Sequence, residues 1–157
     1  MNIDLTVLVP AIRKERWVDM YNSIKSSTKR NFELIIVGPY SLPEELQRMV
    51  NVKYIKDYGN PVRASQIGSL IAEGKYIFWA SDDGTFQPGA LDKAIDCLES
   101  QENKSIKDVV ISNYKEAGAA QPDDVLRLNV AYPRSPHILI YPPVRNAPAQ
   151  IFFLSTR

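Results

Sequence analysis

Over its first two thirds this chain alternates short apolar runs with longer stretches of helical periodicity. Leu5–Val9 (LTVLV) is continuously apolar and closed by Pro10, the pattern of a strand buried on both faces. Glu15–Lys29 then carries Trp17, Met20, Tyr21 and Ile24 at helical spacing, which predicts an amphipathic helix with those side chains inward. Glu33–Val37 (ELIIV) predicts a second buried strand, stopped by Gly38-Pro39. Ser41-Leu42-Pro43-Glu44 has capping-box spacing and predicts a short helix through Met49. Val52–Lys56 reads as a third strand. Ala64, Ile67, Gly68 and Ile71 share one helical face, with Gly74 placed to end that helix. Tyr76–Ala80 is a fourth strand, with Phe78 and Trp79 on opposite sides. Pro88 predicts the start of another helix that turns Leu91, Ala94, Ile95 and Leu98 inward, and Asp108–Ser112 (DVVIS) reads as a fifth strand.

Strand–helix alternation of this kind implies an α/β fold, a mainly parallel twisted sheet with helices on both faces. In such sheets ligands sit beyond the carboxyl ends of the strands, near the point where strand order reverses. Pro10–Arg13, Gly38–Tyr40 and Ser81–Gly84 each come directly after a strand and are expected to converge on one rim. The last third differs. Gly118–Arg134 is irregular, and Pro133, Pro136, Pro142, Pro143 and Pro148 interrupt the remaining stretch. Between them His137–Tyr141 and Gln150–Leu154 suit short strands, confined by proline to edges or ends. The expected organisation is one domain over 1–157, with a βαβ core over 1–113 and an irregular and β part over 114–157.

Composition narrows the classes. With 157 residues, 45% hydrophobic, there is room for one ordinary core. A net charge of +1 with the two signs intermixed argues against a general nucleic-acid binder. The single cysteine, Cys97, excludes an internal disulfide and falls on the apolar stripe of its predicted helix, as an inert thiol would. Asp4 interrupts any signal-peptide pattern, and no segment reaches about 18 uninterrupted apolar residues, so a cytoplasmic protein without a membrane span is expected.

The most informative stretch is Lys75–Gly89, KYIFWASDDGTFQPG, where a buried strand runs into Asp82 and Asp83. Carboxylates at the tip of such a strand are costly unless they hold something positive, and Mg²⁺ or Mn²⁺ carrying a phosphorylated substrate suits hard oxygen ligands. Arg13 and Arg63 are candidates to neutralise a diphosphate. The loop after the first strand could hold a base or ribose through its backbone groups. The plain alternative for Asp82-Asp83-Gly84 is a turn.

Together, TVLVP, ELIIV and GNPVRASQIGSLIAEGKYIFWASDDGTFQPGAL resemble the family 2 glycosyltransferases of the GT-A fold, a Rossmann-like class. The resemblance runs from about Asp4 to Ser112, and its most specific part is the spacing from Gly68 through Gly74 to Asp83 and Pro88. It implies a nucleoside-diphosphate sugar donor, with UDP the first candidate, and transfer of the sugar with inversion to a saccharide, lipid or protein acceptor. It also implies that Asp82 and Asp83 bind metal and ribose or diphosphate. The donor would be held by Pro10, Ala11, Ile12 and Arg13, by Gly38, by Arg63 and Gln66, and by Ser81 and Asp82. There are departures. Ala80 stands where the family often has the first acid of its D-x-D-D motif, Gly38-Pro39 replaces an acidic pair, and Ser65-Gln66 replaces R-N.

An inverting transferase also needs a base to take the acceptor's proton. In the family it lies well downstream of the metal motif, whereas this sequence ends at Arg157, as a short or truncated version would. Asp83 and His137 are the residues left for catalysis, and His137, the only histidine, could complete the metal shell. Asp123, Asp124 and Glu116 read first as solvated loop acids, and His137 first as a structural histidine. A competing reading is a non-catalytic nucleotide-sugar-binding module. A nucleotidyltransferase is disfavoured because VPAIRKERW offers no glycine to cradle a triphosphate. Exposed apolar edges in the last third could pair subunits into a homo-oligomer.

Overall fold

The computed structural model describes residues 2–100 and 150–153. Four strands match the sequence pattern closely: β1 Leu5–Pro10, β2 Phe32–Gly38, β3 Val52–Lys56 and β4 Tyr76–Trp79. A fifth, β5 Gln150–Phe153, joins them in a parallel sheet of order β3-β2-β1-β4-β5. The strand expected at Gln150–Leu154 therefore pairs with β4 and is the outermost on that side among the described residues. Those expected at Asp108–Ser112 and His137–Tyr141 lie outside the described residues, as do Asp123, Asp124 and Glu116 and the side chain of Cys97.

The apolar runs of β1 and β2 are buried because both faces of the central strands are covered. On one face Leu5, Val7, Val9, Leu34, Ile36 and Phe78 meet three helices. These are α1 (Trp17–Ser27), the short α2 (Glu44–Gln47) and α4 (Ala90–Ser100), contributing Trp17, Met20, Ile24, Leu46, Leu91, Ala94, Ile95 and Leu98. On the other face Leu8, Ile35, Val37 and Ile77 meet Ala64 of α3 (Pro61–Ile71), with Ile67 and Trp79 packed alongside. The chain thus steps outward from β1 to β3 with helices on one face. It returns to β4 in the opposite direction on the other face, which keeps one crossover hand. Strand order reverses between β1 and β4.

Several boundaries differ from the sequence expectation for local reasons. Residues 14–16 form a 3₁₀ turn before α1, and α1 ends at Ser27, whose hydroxyl accepts from Leu91 N, while the hydroxyl of Thr28 beyond it donates to Asp92. Pro43, not Ser41, caps α2, with no side-chain cap, and the helix ends at Gln47. Pro88 lies in a turn with Gly89, whose φ of +72° is the left-handed conformation glycine tolerates, and α4 begins only at Ala90. Ile71 ends α3 with 37% of its surface exposed, while Ala64 and Gly68 are buried. Gly74 does not terminate α3. A Cβ there would lie 2.4 Å from the backbone nitrogen of Thr6, so glycine is needed where the entry to β4 crosses β1.

Two polar residues in central strands, Thr6 and Glu33, are buried and paired, the Thr6 hydroxyl donating to Glu33 Oε1 at 2.5 Å. Glu73 N donates to the same oxygen at 2.7 Å, Gly74 N donates to Thr6 Oγ1 at 2.9 Å, and Lys53 Nζ lies 2.8 Å from Glu33 Oε2. This network staples the α3–β4 connection to the sheet at the amino end of its strands.

Candidate functional site

Because β1, β2, β3 and β4 are parallel, their carboxyl ends and the loops beyond them share one rim. Ala11 N donates to Val37 O at 2.9 Å, and Ala80 N donates to Leu8 O at 2.9 Å, drawing the loops after β1, β2 and β4 together. Gly38 fits here by having no side chain, since a Cβ would stand 1.9 Å from the carbonyl oxygen of Ala11. Its own carbonyl accepts from Asp57 N and from the Tyr54 hydroxyl, both at 3.1 Å.

Asp82 is the centre of this rim. Its side chain reaches across the reversal point from the end of β4 to the loop after β1 and is almost wholly buried there, with the residue 2% exposed. Oδ2 accepts from Ile12 N and Arg13 N, each at 2.6 Å, and Oδ1 accepts from Arg13 Nη1 at 2.5 Å. The loop after β1 is thus closed against β4 by a single carboxylate. With Ala11 N also engaged, the N–H groups of residues 11–13 are occupied inside the protein, and a ligand would meet side chains and carbonyls there instead. Pro10 is the last residue of β1, and Ile12 exposes its side chain.

Asp83 has the opposite character. Its side chain is 37% exposed; Oδ1 accepts from the Ser81 hydroxyl at 2.5 Å, and Oδ2 lies 3.5 Å from Arg13 Nη1. Donation from Ser81 holds its carboxyl below the usual range against the opposing effect of burial, and the charges of Arg13 and Arg16 add to this. The guanidinium of Arg13 is in turn pushed above its ordinary value by its bond to Asp82 and by the charges of both acids. Gly84 N donates to Ser81 O at 3.4 Å, so residues 81–84 are also the turn that the D-G pair suggested.

Two residues in or near this rim were not singled out from the sequence. Arg16 Nη1 donates to the carbonyl of Asp83 at 3.3 Å. The signal was present: a 3₁₀ turn eclipses positions i and i+3, so Arg13 and Arg16 project together. Asp57, nearly buried at the end of β3, accepts from Gly59 N and holds Arg63 Nε at 3.0 Å. Arg63 is therefore committed to Asp57 on a side chain 64% exposed, rather than to the Asp82 corner. Gln66 is exposed on α3, and no hydrogen bond among the described residues joins it to that corner. His137 lies outside the described residues.

The residues at this corner are a poor fit to Mg²⁺ or Mn²⁺. Both oxygens of Asp82 are occupied by three N–H donors, and a guanidinium stands where a cation would bridge the two acids. Among the described residues no group of three or more His, Cys, Asp or Glu side chains is gathered to hold a metal.

Over 140 residues, 80% of this chain, the sequence is 24% identical to a Rickettsia conorii protein named an uncharacterized glycosyltransferase. The chain spans only 23% of that protein's length. No protein-family model matches it. Among the described residues no helix is long and apolar enough to cross a membrane.

Proposed function

We propose that the crevice between β1 and β4 binds a nucleoside-diphosphate sugar and that the chain serves glycosyl transfer. The observation that carries this reading is the Asp82 clasp across the reversal point of a parallel sheet. It fixes Arg13 and, through the 3₁₀ turn, Arg16 beside the outward carboxylate Asp83. This is where open α/β sheets receive nucleotides. Ile12 and Tyr40, on the loops after β1 and β2, are 61% and 52% exposed and offer apolar and aromatic surface for a planar base. Arg13 and Arg16 offer charge to a diphosphate, and positive charge at the leaving group is what glycosyl transfer from a nucleoside diphosphate requires. The name of the Rickettsia conorii relative supports the same class of reaction.

Calorimetric titration of UDP-, GDP- and TDP-sugars into the full chain tests this, with slow hydrolysis of any bound sugar nucleotide as the second readout. Binding with hydrolysis supports a transferase, and binding without it supports a nucleotide-sugar-binding module. Absence of binding by all three nucleotides overturns the reading.

A further inference from the structure

We propose that Arg13 supplies, from within the fold, the positive charge that a divalent ion would otherwise bring to the Asp82–Asp83 corner, so that this crevice takes its phosphorylated ligand without a metal. The first part rests on geometry alone; the second also rests on the function proposed above. Three observations carry it. Both oxygens of the Asp82 carboxylate are engaged, by Ile12 N, Arg13 N and Arg13 Nη1, in a residue only 2% exposed. Arg13 Nη1 lies 2.5 Å from Asp82 Oδ1 and 3.5 Å from Asp83 Oδ2, so a positive charge already stands between the two carboxylates. Asp83 is further engaged by the Ser81 hydroxyl, which fixes its orientation toward the turn.

A small divalent ion demands close oxygen contacts in near-octahedral geometry, which this arrangement grants only if Arg13 leaves. Removing Arg13 would also take away one of the donors that hold the loop after β1. The guanidinium, by contrast, keeps capacity for a ligand. It carries five N–H donors in a planar fork suited to phosphate. Among the described residues only Nη1 is engaged, and the side chain is 42% exposed. Arg13 can therefore bond Asp82 on one side and a phosphate oxygen on the other.

Mn²⁺ alone, titrated into the full chain and followed by the electron paramagnetic resonance of free Mn²⁺, tests the first part without any nucleotide. The wild type is expected to show no saturable site tighter than about 1 mM, the weak end of carboxylate sites. Arg13→Ala leaves both acids without their cation. It is expected to gain a Mn²⁺ site, seen as a Mn²⁺-dependent rise in Tm that the wild type lacks and that adding Asp83→Asn removes. A saturable wild-type site lost in Asp83→Asn overturns the proposal, as does a folded Arg13→Ala protein that gains none. Should Arg13→Ala fail to fold, Arg13→Met keeps the stem's packing, and the wild-type titration decides by itself.

UDP-sugar is then titrated in EDTA and in Mn²⁺. Equal affinity supports the proposal, and binding only with Mn²⁺ overturns it while leaving the proposed function intact. Binding of neither UDP-, GDP- nor TDP-sugar overturns the proposed function, while the Mn²⁺ titration still decides what cation this corner holds.

Discussion

Buried carboxylates anchor both ends of this sheet, and the two ends use them differently. At the amino end Glu33 is 1% exposed and meets Thr6, Glu73 N and Lys53, groups from three other parts of the chain. Around it the connections close on themselves. At the carboxyl end Asp82 is equally buried and likewise held by groups from elsewhere in the chain, but the next residue, Asp83, turns outward beside Arg13 and Arg16. A buried acid is thus no mark of a site by itself, because burial with full pairing is how a fold hides a charge. Exposed charge lies beside both buried acids, Lys53 and Glu73 at one end and Arg13 and Asp83 at the other, so what distinguishes the carboxyl end is its position where strand order reverses.

The comparison breaks most visibly at Glu33. Glu33→Ala leaves the Thr6 hydroxyl and Glu73 N without their acceptor and Lys53 with only Glu73. Loss of one partner of a buried pair costs about 3 kcal/mol. Urea unfolding should show that loss, while any nucleotide binding at the far rim survives in the folded fraction. Asp82→Asn comes next. The amide keeps one acceptor oxygen for Ile12 N and Arg13 N but gives up the charged bond to Arg13, a change worth about 2 kcal/mol by denaturation. Unlike Glu33→Ala, it should also weaken nucleotide binding, since the loop carrying Arg13 loses its clasp.

The sequence shows much of the frame and little of this contrast. β1 through β4 and the inward faces of α1 and α4 are legible in continuous apolar runs and 3.6-residue spacing, and Trp17, Ile24, Leu91 and Ile95 are buried as that spacing predicts. Asp82 stood out as an acid at a strand end. Its partners, Ile12 and Arg13, are 70 and 69 residues away, and no local pattern reveals such a pairing. Gly74 does not end α3 as its position suggested, and Gly38 does end β2 as read, but for a reason the sequence does not show. Each looks like punctuation in the sequence, yet each is set by a strand arriving from elsewhere, Thr6 in one case and Ala11 in the other. Ser81–Gly84 shows that a turn and a candidate site are not exclusive readings, because the turn is what aims Asp83 outward.

A third charged cluster lies between these extremes and sharpens the comparison by pH. Burial works to raise the carboxyl of Glu99, yet donation from Arg30, Lys75 and Tyr76 overcomes it and holds the group at about 2. Its folded value is depressed, so its contribution is present above the unfolded value of 4.5 and is lost as pH falls from there toward 2. Because Glu99 is partly solvated, solvent screening limits the effect to about 1 kcal/mol. Stability against urea measured between pH 5 and pH 3 should fall less steeply in Glu99→Gln than in the wild type by about that amount. Asp83 also has a lowered carboxyl, but its exposure leaves it little to contribute to that slope.

Asp83 is therefore where stability and function should separate most cleanly. In Asp83→Asn the amide can still accept from the Ser81 hydroxyl, and Arg13 retains its tighter bond to Asp82. The substitution removes the charge from the 3.5 Å approach to Arg13 at a half-exposed surface, so the change in unfolding free energy should stay within about 0.5 kcal/mol. Under the metal-free reading, removing that negative charge leaves Arg13 less neutralised, and affinity for a nucleoside diphosphate should rise or hold. If Asp83 instead grips a metal that carries the diphosphate, affinity should collapse at unchanged stability. One calorimetric titration on one folded variant thus reads the sign of the Asp83 contribution, and the sign decides whether the outward acid of this pair repels the ligand's charge or is bridged to it.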